Sequence, residues 1–291
     1  MASRKKILIV GASSLVGNDL FQNLKKNYDI IGTYHTSQNQ YINRKNFYKI
    51  NLKSKEPFKN FKNNIFYTVI WCINYNKKRG NFESAFDTNV LGLIKLMNFL
   101  NLKELKKLIF FSTGSIYQPS NVKITENSKI NLDDDHKLTK YFGEKICEVY
   151  RKYFKFKLII LRPFTIYGKN QKDKLIFNLI KKIKSNKRIY IDGNSGITLS
   201  CISVDDVTKI VRYIILNLNQ NSRIFNLSSP YSYSLFDFCK IISERFNKTV
   251  KLVTNTNKVK NYVSDSNNLM KKFKFINFEN YIKRNIWIWK Y

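Results

Sequence analysis

The sequence predicts an α/β protein: a doubly wound parallel sheet in the first part of the chain, with a smaller C-terminal α/β lobe. Three observations predict it. Short apolar runs alternate with segments of helical spacing through residue 167. Those runs are continuous rather than alternating, as strands buried on both faces require. Strands separated by helices of ten to twenty residues imply right-handed crossovers, and hence a parallel sheet. Two regions are expected, 1–167 and 168–291, interleaved rather than divided by a linker.

The elements follow in order. Ile7–Val10 is a four-residue apolar run and reads as the first strand. Val16–Leu24 has helical spacing, with Leu15, Leu20, Phe21 and Leu24 on one side. Asp29–Tyr34, Phe47–Ile50 and Thr68–Ile73 read as strands, the last rich in β-branched and aromatic residues. A long helix is expected over Phe82–Leu100, a strand at Lys107–Ser112, a helix at Thr139–Phe154 and a strand at Lys157–Arg162. Past Tyr167-Gly168 the rhythm loosens. Leu175–Ser185, Leu235–Phe246 and a segment ending near Asn217 read as helices, the last capped by Asp205-Asp206. Arg188–Ile191, Arg223–Leu227 and Val250–Val253 read as strands, and Asp192-Gly193-Asn194 as a turn.

Composition narrows the function classes. The apolar run near the N-terminus stops after four residues at Gly11, too short for a secretory segment, and no run approaches a membrane span. A soluble, cytoplasmic protein is expected. The four cysteines, Cys72, Cys147, Cys201 and Cys239, form no C-x-x-C pair and sit in apolar patterns, so they read as reduced core residues. With two histidines, His35 and His136, no metal site is expected. The formal charge of +32 has two readings. It could mark a nucleic-acid or anionic-membrane surface, or a Lys-rich composition spread over every exposed face. The lysines come as scattered pairs, with no arginine stripe or basic tail, so specific nucleic-acid binding is not expected. A positive field of this size still draws in anionic small molecules.

Gly11-Ala12-Ser13-Ser14-Leu15-Val16-Gly17 lies directly between the first strand and the first helix. A dinucleotide loop needs a tight turn, close backbone approach to the pyrophosphate, and close helix–strand packing. Gly11 and Gly17 fit the first and last roles, and Ser14 stands where the middle glycine is common. The helix N-terminus adds free N–H groups and a positive dipole end. This reads as the phosphate loop of a Rossmann-type domain rather than an ordinary strand-to-helix turn, and NAD or NADP is the expected cofactor. The second strand ends Gly32-Thr33-Tyr34-His35-Thr36 with no carboxylate, so nothing repels a 2′-phosphate; NADP is slightly favoured.

Further motifs extend the pattern: Asn89-Val90-Leu91-Gly92, Phe111-Ser112-Thr113-Gly114-Ser115-Ile116-Tyr117, Lys140-Tyr141-Phe142-Gly143-Glu144-Lys145, Leu161-Arg162-Pro163-Phe164-Thr165-Ile166-Tyr167-Gly168 and Ser203-Val204-Asp205-Asp206-Val207. In this order and spacing the whole chain resembles the extended short-chain dehydrogenase/reductase family. That family includes nucleotide-sugar epimerases, dehydratases and reductases, among them dTDP-4-dehydrorhamnose reductase-like proteins. The resemblance implies a nucleotide-sugar substrate, a homodimer, and cofactor contacts from Tyr34, Asn51, Leu52, Cys72, Asn89, Lys140 and Pro163 besides the loop.

It also implies a Ser/Thr, a Tyr and a Lys, the last two spaced Y-x-x-x-K. The lysine lowers the tyrosine pKa and holds the cofactor ribose; the tyrosine exchanges a proton with the substrate oxygen. Thr113 matches the Ser/Thr. Two registers compete for the pair. Tyr141 and Lys145 satisfy the spacing literally. Lys140 is instead followed, four residues on, by Glu144, which fits the family pattern better and places His136 at the tyrosine position. The second register is preferred. Histidine can serve as acid or base near neutrality, so three readings stand: His136 moves the proton itself, Thr113 or Tyr141 takes over, or the redox chemistry is weakened while cofactor binding remains. Asn51, Leu199 and Thr165 also depart from the family's common aspartate, arginine and asparagine. Two functions follow: an enzyme performing 4-keto reduction, epimerisation or dehydration, or a non-catalytic dinucleotide-binding subunit that regulates or scaffolds a partner.

Overall fold

The computed structural model describes residues 4–35, 45–62, 64–75, 82–169, 171, 174–217, 222–265, 267 and 269–285. Thr36 lies outside them. In chain order the elements are β1 (Lys6–Val10), α1 (Leu15–Leu24), β2 (Asp29–Tyr34), β3 (Phe47–Lys49), β4 (Thr68–Trp71), α2 (Phe82–Phe86), α3 (Gly92–Phe99), β5 (Lys107–Phe111), α4 (Asp135–Phe154), β6 (Lys157–Pro163), β7 (Thr165–Tyr167), α5 (Leu175–Lys184), β8 (Arg188–Ile191), β9 (Thr198–Ser203), α6 (Val204–Asn217), β10 (Ser222–Leu227), β11 (Ser232–Ser234), α7 (Leu235–Phe246), β12 (Lys251–Thr254) and α8 (Phe278–Asn285).

The chain divides into two compact units, each assembled from separated stretches. The first takes Met1–Ile116, Ile130–Arg162 and Thr208–Phe225. Its seven-stranded sheet runs β10-β6-β5-β4-β1-β2-β3, and every neighbouring pair from β3 to β6 is parallel. β1 lies between β2 and β4, so the strand order reverses there, where open α/β sheets bind their ligands. The strands bury both faces: Ile7, Leu8, Ile9, Val10, Val69, Ile70 and Trp71 are fully enclosed. One cluster of this core joins Leu8, Trp71, Leu93, Phe110, Leu158 and Ile160.

Three local departures from the sequence pattern stand out, and capping side chains set two of them. The long helix expected over Phe82–Leu100 is interrupted by a π-helical segment, Asp87–Leu91, between α2 and α3. Helix α4 starts at Asp135, four residues before the expected Thr139, because Asp134 caps it by accepting from the Lys137 N–H at 2.8 Å. Helix α6 is capped not by Asp205-Asp206 but by Ser203, whose Oγ accepts from the Asp206 N–H at 3.1 Å and donates to its carboxylate at 2.8 Å. At the far end of α6, Lys107 at the start of β5 turns its buried ammonium onto the carbonyls of Ile214 and Ile215. A cation there satisfies carbonyls that no intrahelical donor reaches.

The second unit comprises Tyr117–Lys129, Pro163–Val207 and Asn226–Tyr291. It holds a three-stranded sheet, β11-β9-β7, with β7 parallel and β11 antiparallel to β9, and a parallel pair, β12-β8. Its core gathers Tyr167, Ile176, Leu179, Cys201, Phe238, Phe278 and Tyr281. The sequence reading missed β7, β9, β11 and α8. β9 and β11 mix serines with apolar residues, so neither carries a continuous apolar run.

Gly143 brings α4 close to β5. A Cβ there would stand 2.5 Å from Cζ of the buried Phe110. Gly143→Val is expected to cost about 3 kcal/mol through overpacking. Shortening the facing ring in the double variant Phe110→Leu/Gly143→Val should recover part of that loss. Thermal unfolding of both checks it, and a Gly143→Val protein as stable as the wild type would contradict the close packing.

Candidate active site

The site grows from the ends of β1, β2, β4 and β5 and from the first turns of α1 and α4. After β1 the chain turns at Gly11 with φ +85°, a conformation L side chains rarely adopt. A Cβ at Gly11 would also meet the Cys72 carbonyl carbon at 3.1 Å and its oxygen at 3.2 Å. A Cβ at Gly17 would stand 2.3 Å from the Gly11 oxygen, so the helix can approach the strand only without a side chain. Ser14 caps α1, its hydroxyl accepting from the Gly17 N–H at 3.0 Å. Helix geometry leaves the N–H groups of Leu15 and Val16 without an intrahelical acceptor. Ser13, Leu15 and Val16 are half-buried along the loop. Two glycines where a side chain would clash, and a helix start beside them, fit a dinucleotide pyrophosphate.

Thr33, which the sequence reading gave no role, stitches this loop to β2. Its Oγ1 accepts from the Gly11 N–H at 3.1 Å, and its carbonyl accepts from the Ala12 N–H at 2.7 Å. Tyr34 follows, buried and stacked on Phe47 with ring centroids 5.7 Å apart. His35 is exposed. Asn51 folds its side chain back to accept from the Lys53 N–H at 3.0 Å. Leu52 is buried, and Lys95 holds its carbonyl at 3.0 Å.

The segment after β4 is held at each residue. The Cys72 N–H donates to the Val10 carbonyl at 2.8 Å. Burial pushes the Cys72 thiol up to about 12, with the Lys140 charge opposing. The Ile73 carbonyl accepts from Lys140 Nζ at 3.0 Å. His136 Nε2 lies 2.7 Å from Asn74 Oδ1. The Tyr75 N–H donates to Asn89 Oδ1 at 3.1 Å. Asn89 is buried in the π-helical segment, and its Nδ2 also donates to Thr139 Oγ1 at 3.0 Å. Its side chain thus joins the end of β4 to α4.

Helix α4 meets β5 at consecutive residues. Lys140, 1% exposed, donates to the Phe111 carbonyl as well as to Ile73, with Nζ 4.8 Å from the Phe110 ring centroid. One turn on, Glu144 accepts from Ser112 Oγ and pairs with Arg162 of β6 through Nε at 2.9 Å and Nη2 at 2.6 Å. Thr113 comes next, half-buried, its Oγ1 2.8 Å from Ser115 Oγ. His136 sits in the first turn of α4, one turn before Lys140 and so on the same face. The other register's residues form a surface pair. Lys145 is exposed, 3.0 Å from Glu148 and 5.1 Å from the Tyr141 ring centroid.

Pro163 ends β6, and Thr165 and Leu199 fall on β7 and β9. Among the described residues no cluster of three or more His, Cys, Asp or Glu is placed to hold a metal. Within the same residues no helix is long and apolar enough to cross a membrane.

Residues 7–228 fit the model of the NAD dependent epimerase/dehydratase family. The chain belongs to that family. An uncharacterised UDP-glucose epimerase of Bacillus subtilis is 28% identical over 227 residues, 70% of each chain. A dTDP-D-glucose 4,6-dehydratase of Dictyostelium discoideum is 26% identical over 267 residues, covering 82% of this chain and 61% of the relative. Among solved structures, the UDP-glucuronic acid 4-epimerase of Bacillus cereus, in complex with UDP-glucuronic acid and NAD, superposes with a TM-score of 0.80 at 22% identity, over 96% of this chain and 99% of its own. The epimerase/dehydratase fold is therefore shared over nearly the whole length.

Burial lowers the Lys140 pKa to about 8, with Cys72, Glu144 and Cys147 acting the other way. An unfolded lysine titrates near about 10.4. Between those values the folded protein binds fewer protons than the unfolded one, so this lysine's contribution to stability rises with pH across that window. Below it the cost of burying the charge is present in full. The melting temperature of the cofactor-free wild type is therefore expected to gain on that of Lys140→Met between about pH 8 and 10. Parallel melting curves over that range would contradict the buried ammonium.

Proposed function

We propose that this chain is a nicotinamide-dinucleotide enzyme acting at a carbinol or ketone carbon of a nucleotide-activated sugar, in epimerisation, dehydration or 4-keto reduction. The observation that carries this reading is a convergence. The Gly11 turn abuts the Cys72 backbone, and Lys140 Nζ bonds to the next carbonyl, Ile73, so the phosphate loop and the buried lysine share one strand end. The relatives' names and the nucleotide sugar held by the Bacillus cereus structure support the substrate class.

In this reading the Gly11–Gly17 loop holds the pyrophosphate and Lys140 holds the nicotinamide ribose. Bound dinucleotide supplies a hydride acceptor or donor. Thr113 Oγ1 donates to the sugar oxygen and orients it. His136 takes the proton from that oxygen on oxidation and returns it on reduction. Lys140 lies one turn from the imidazole on the same face of α4. Buried Asn89 and Glu144 fix α4 against β4 and β5, so these side chains approach the sugar from one fixed direction. The β2 end, without a carboxylate, favours NADP, whereas the Bacillus cereus relative holds NAD.

One observation favours a second reading, a dinucleotide-binding subunit with weakened chemistry. The imidazole is shorter than the family's phenol, and its Nε2 is already bonded to Asn74. His136 variants separate the two. The wild type is assayed on a panel of nucleoside-diphosphate sugars and their 4-keto forms with NAD and NADP. His136→Tyr is expected to retain or raise turnover, since a phenol beside Lys140 restores a Tyr–Lys pair. His136→Phe, similar in volume but unable to carry a proton, is expected to lose about a hundredfold or more in kcat. NADP should support turnover at least as well as NAD. Wild type and His136→Phe turning over equally would remove His136 from the chemistry. An inactive wild type with an inactive His136→Tyr variant would leave the binding subunit as the reading.

A further inference from the structure

The sequence reading gave no role to Asn74, the residue that faces the proposed proton carrier. It is exposed, directly after Ile73, whose carbonyl is held by Lys140. On its other side Tyr75 is held through both N–H and carbonyl by the buried Asn89, at 3.1 and 3.5 Å. Asn74 is therefore an exposed side chain on a backbone fixed from both sides. Its Oδ1 stands 2.7 Å from His136 Nε2. A side-chain carbonyl accepts and cannot donate, so the hydrogen of that bond belongs to the imidazole. In a neutral ring a hydrogen on Nε2 leaves Nδ1 as the basic nitrogen.

Building on the proposed function, we propose that Asn74 is the positioning residue of the site: its carbonyl fixes His136 as the Nε2–H tautomer, so that proton exchange with the sugar oxygen runs through Nδ1. On oxidation the sugar O–H bond breaks and an N–H bond forms at Nδ1. The C–H electron pair leaves as hydride to the oxidised nicotinamide dinucleotide. The resulting imidazolium keeps its Nε2–H bond to Asn74, now charge-assisted and stronger. Reduction reverses each transfer. The bond also holds the ring at a fixed angle on the first turn of α4.

The charged groups next to His136 in the first turns of α4 and its cap are Asp134, Asp135 and Lys140, with Lys137 paired to Asp133 at 2.5 Å and Asp134 at 3.7 Å. Among the described residues of the segment after β4, Asn74 presents a neutral amide to the ring. A change to leucine at Asn74 therefore removes a neutral acceptor without adding a charge.

The chain has two histidines, His35 and His136, so imidazole nitrogen spectra are readily assigned by their change in His136→Tyr. In the full-length protein the wild-type His136 should show the Nε2–H tautomer in its neutral form. Asn74→Leu should give a tautomer mixture and a lowered His136 pKa, with kcat reduced about tenfold and KM within about twofold, the size expected from losing one hydrogen bond to a charged group. Asn74→Asp, which keeps the acceptor and adds a charge, should raise the His136 pKa by about one unit or more and move the limb of the kcat–pH profile that follows His136 to higher pH. In a His136→Tyr background Asn74→Leu should change kcat by less than about twofold, because a phenol has no tautomer to fix. An unchanged tautomer and pKa in Asn74→Leu, with His136→Phe inactive, overturns this inference alone. So does an equal loss of kcat in the His136→Tyr background. A fully active His136→Phe overturns the reading beneath it as well.

Discussion

Lys140 places a full positive charge where 1% of its surface meets solvent. Such burial is tolerable only if the ammonium finds acceptors. It finds two backbone carbonyls, Ile73 after β4 and Phe111 at the end of β5, with the Phe110 ring alongside. The strands on which these carbonyls lie are neighbours in the sheet, so one side chain clamps their adjacent ends to α4. Glu144 repeats the clamp one turn later, joining Ser112 and Arg162. A helix tied at two successive turns to one sheet edge has little freedom to slide or roll, and every other side chain on that face inherits its position.

The consequences run in both directions along the chain. Toward β4, the residues from Cys72 to Tyr75 are held in turn by Val10, Lys140, His136 and Asn89, and the Cys72 backbone in turn limits what can stand at Gly11. Toward β5, Phe111 and Ser112 are fixed and Thr113 emerges from them with its hydroxyl beside Ser115. The phosphate loop, the proposed proton carrier and the proposed hydroxyl donor are thus referred to one buried charge. That arrangement suits chemistry in which a hydride and a proton must leave neighbouring atoms in fixed directions.

Much of this was legible in the sequence. Strands buried on both faces show as unbroken apolar runs, so β1 to β6 were visible. The Gly11 and Gly17 spacing needed only its strand–helix context. The family's glutamate four residues after its lysine, met here by Lys140 and Glu144, indicated the α4 face that the structure turns inward. Other features depend on distant partners. β7, β9 and β11 take their pairing from one another, not from a local pattern. The early start of α4 depends on which of Asp133, Asp134 and Asp135 caps it. Thr33 and Asn74 are ordinary polar residues in sequence, and only the fold sets one against Gly11 and the other against His136. The pK-shifting burial of Lys107 likewise follows from α6, more than a hundred residues away in the chain, returning to β5.

The central claim is that the lysine one turn before Glu144, and not the lysine after it, completes the dinucleotide site. Titrating NADH into Lys140→Met and Lys145→Met by fluorescence tests it most directly. Lys140→Met should weaken NADH binding about tenfold or more, the loss expected for a hydrogen bond from a charged group, whereas Lys145→Met should stay within about twofold of the wild type. A folded Lys140→Met protein that binds NADH as the wild type does, with Lys145→Met impaired, would contradict the account and make Tyr141 the family tyrosine.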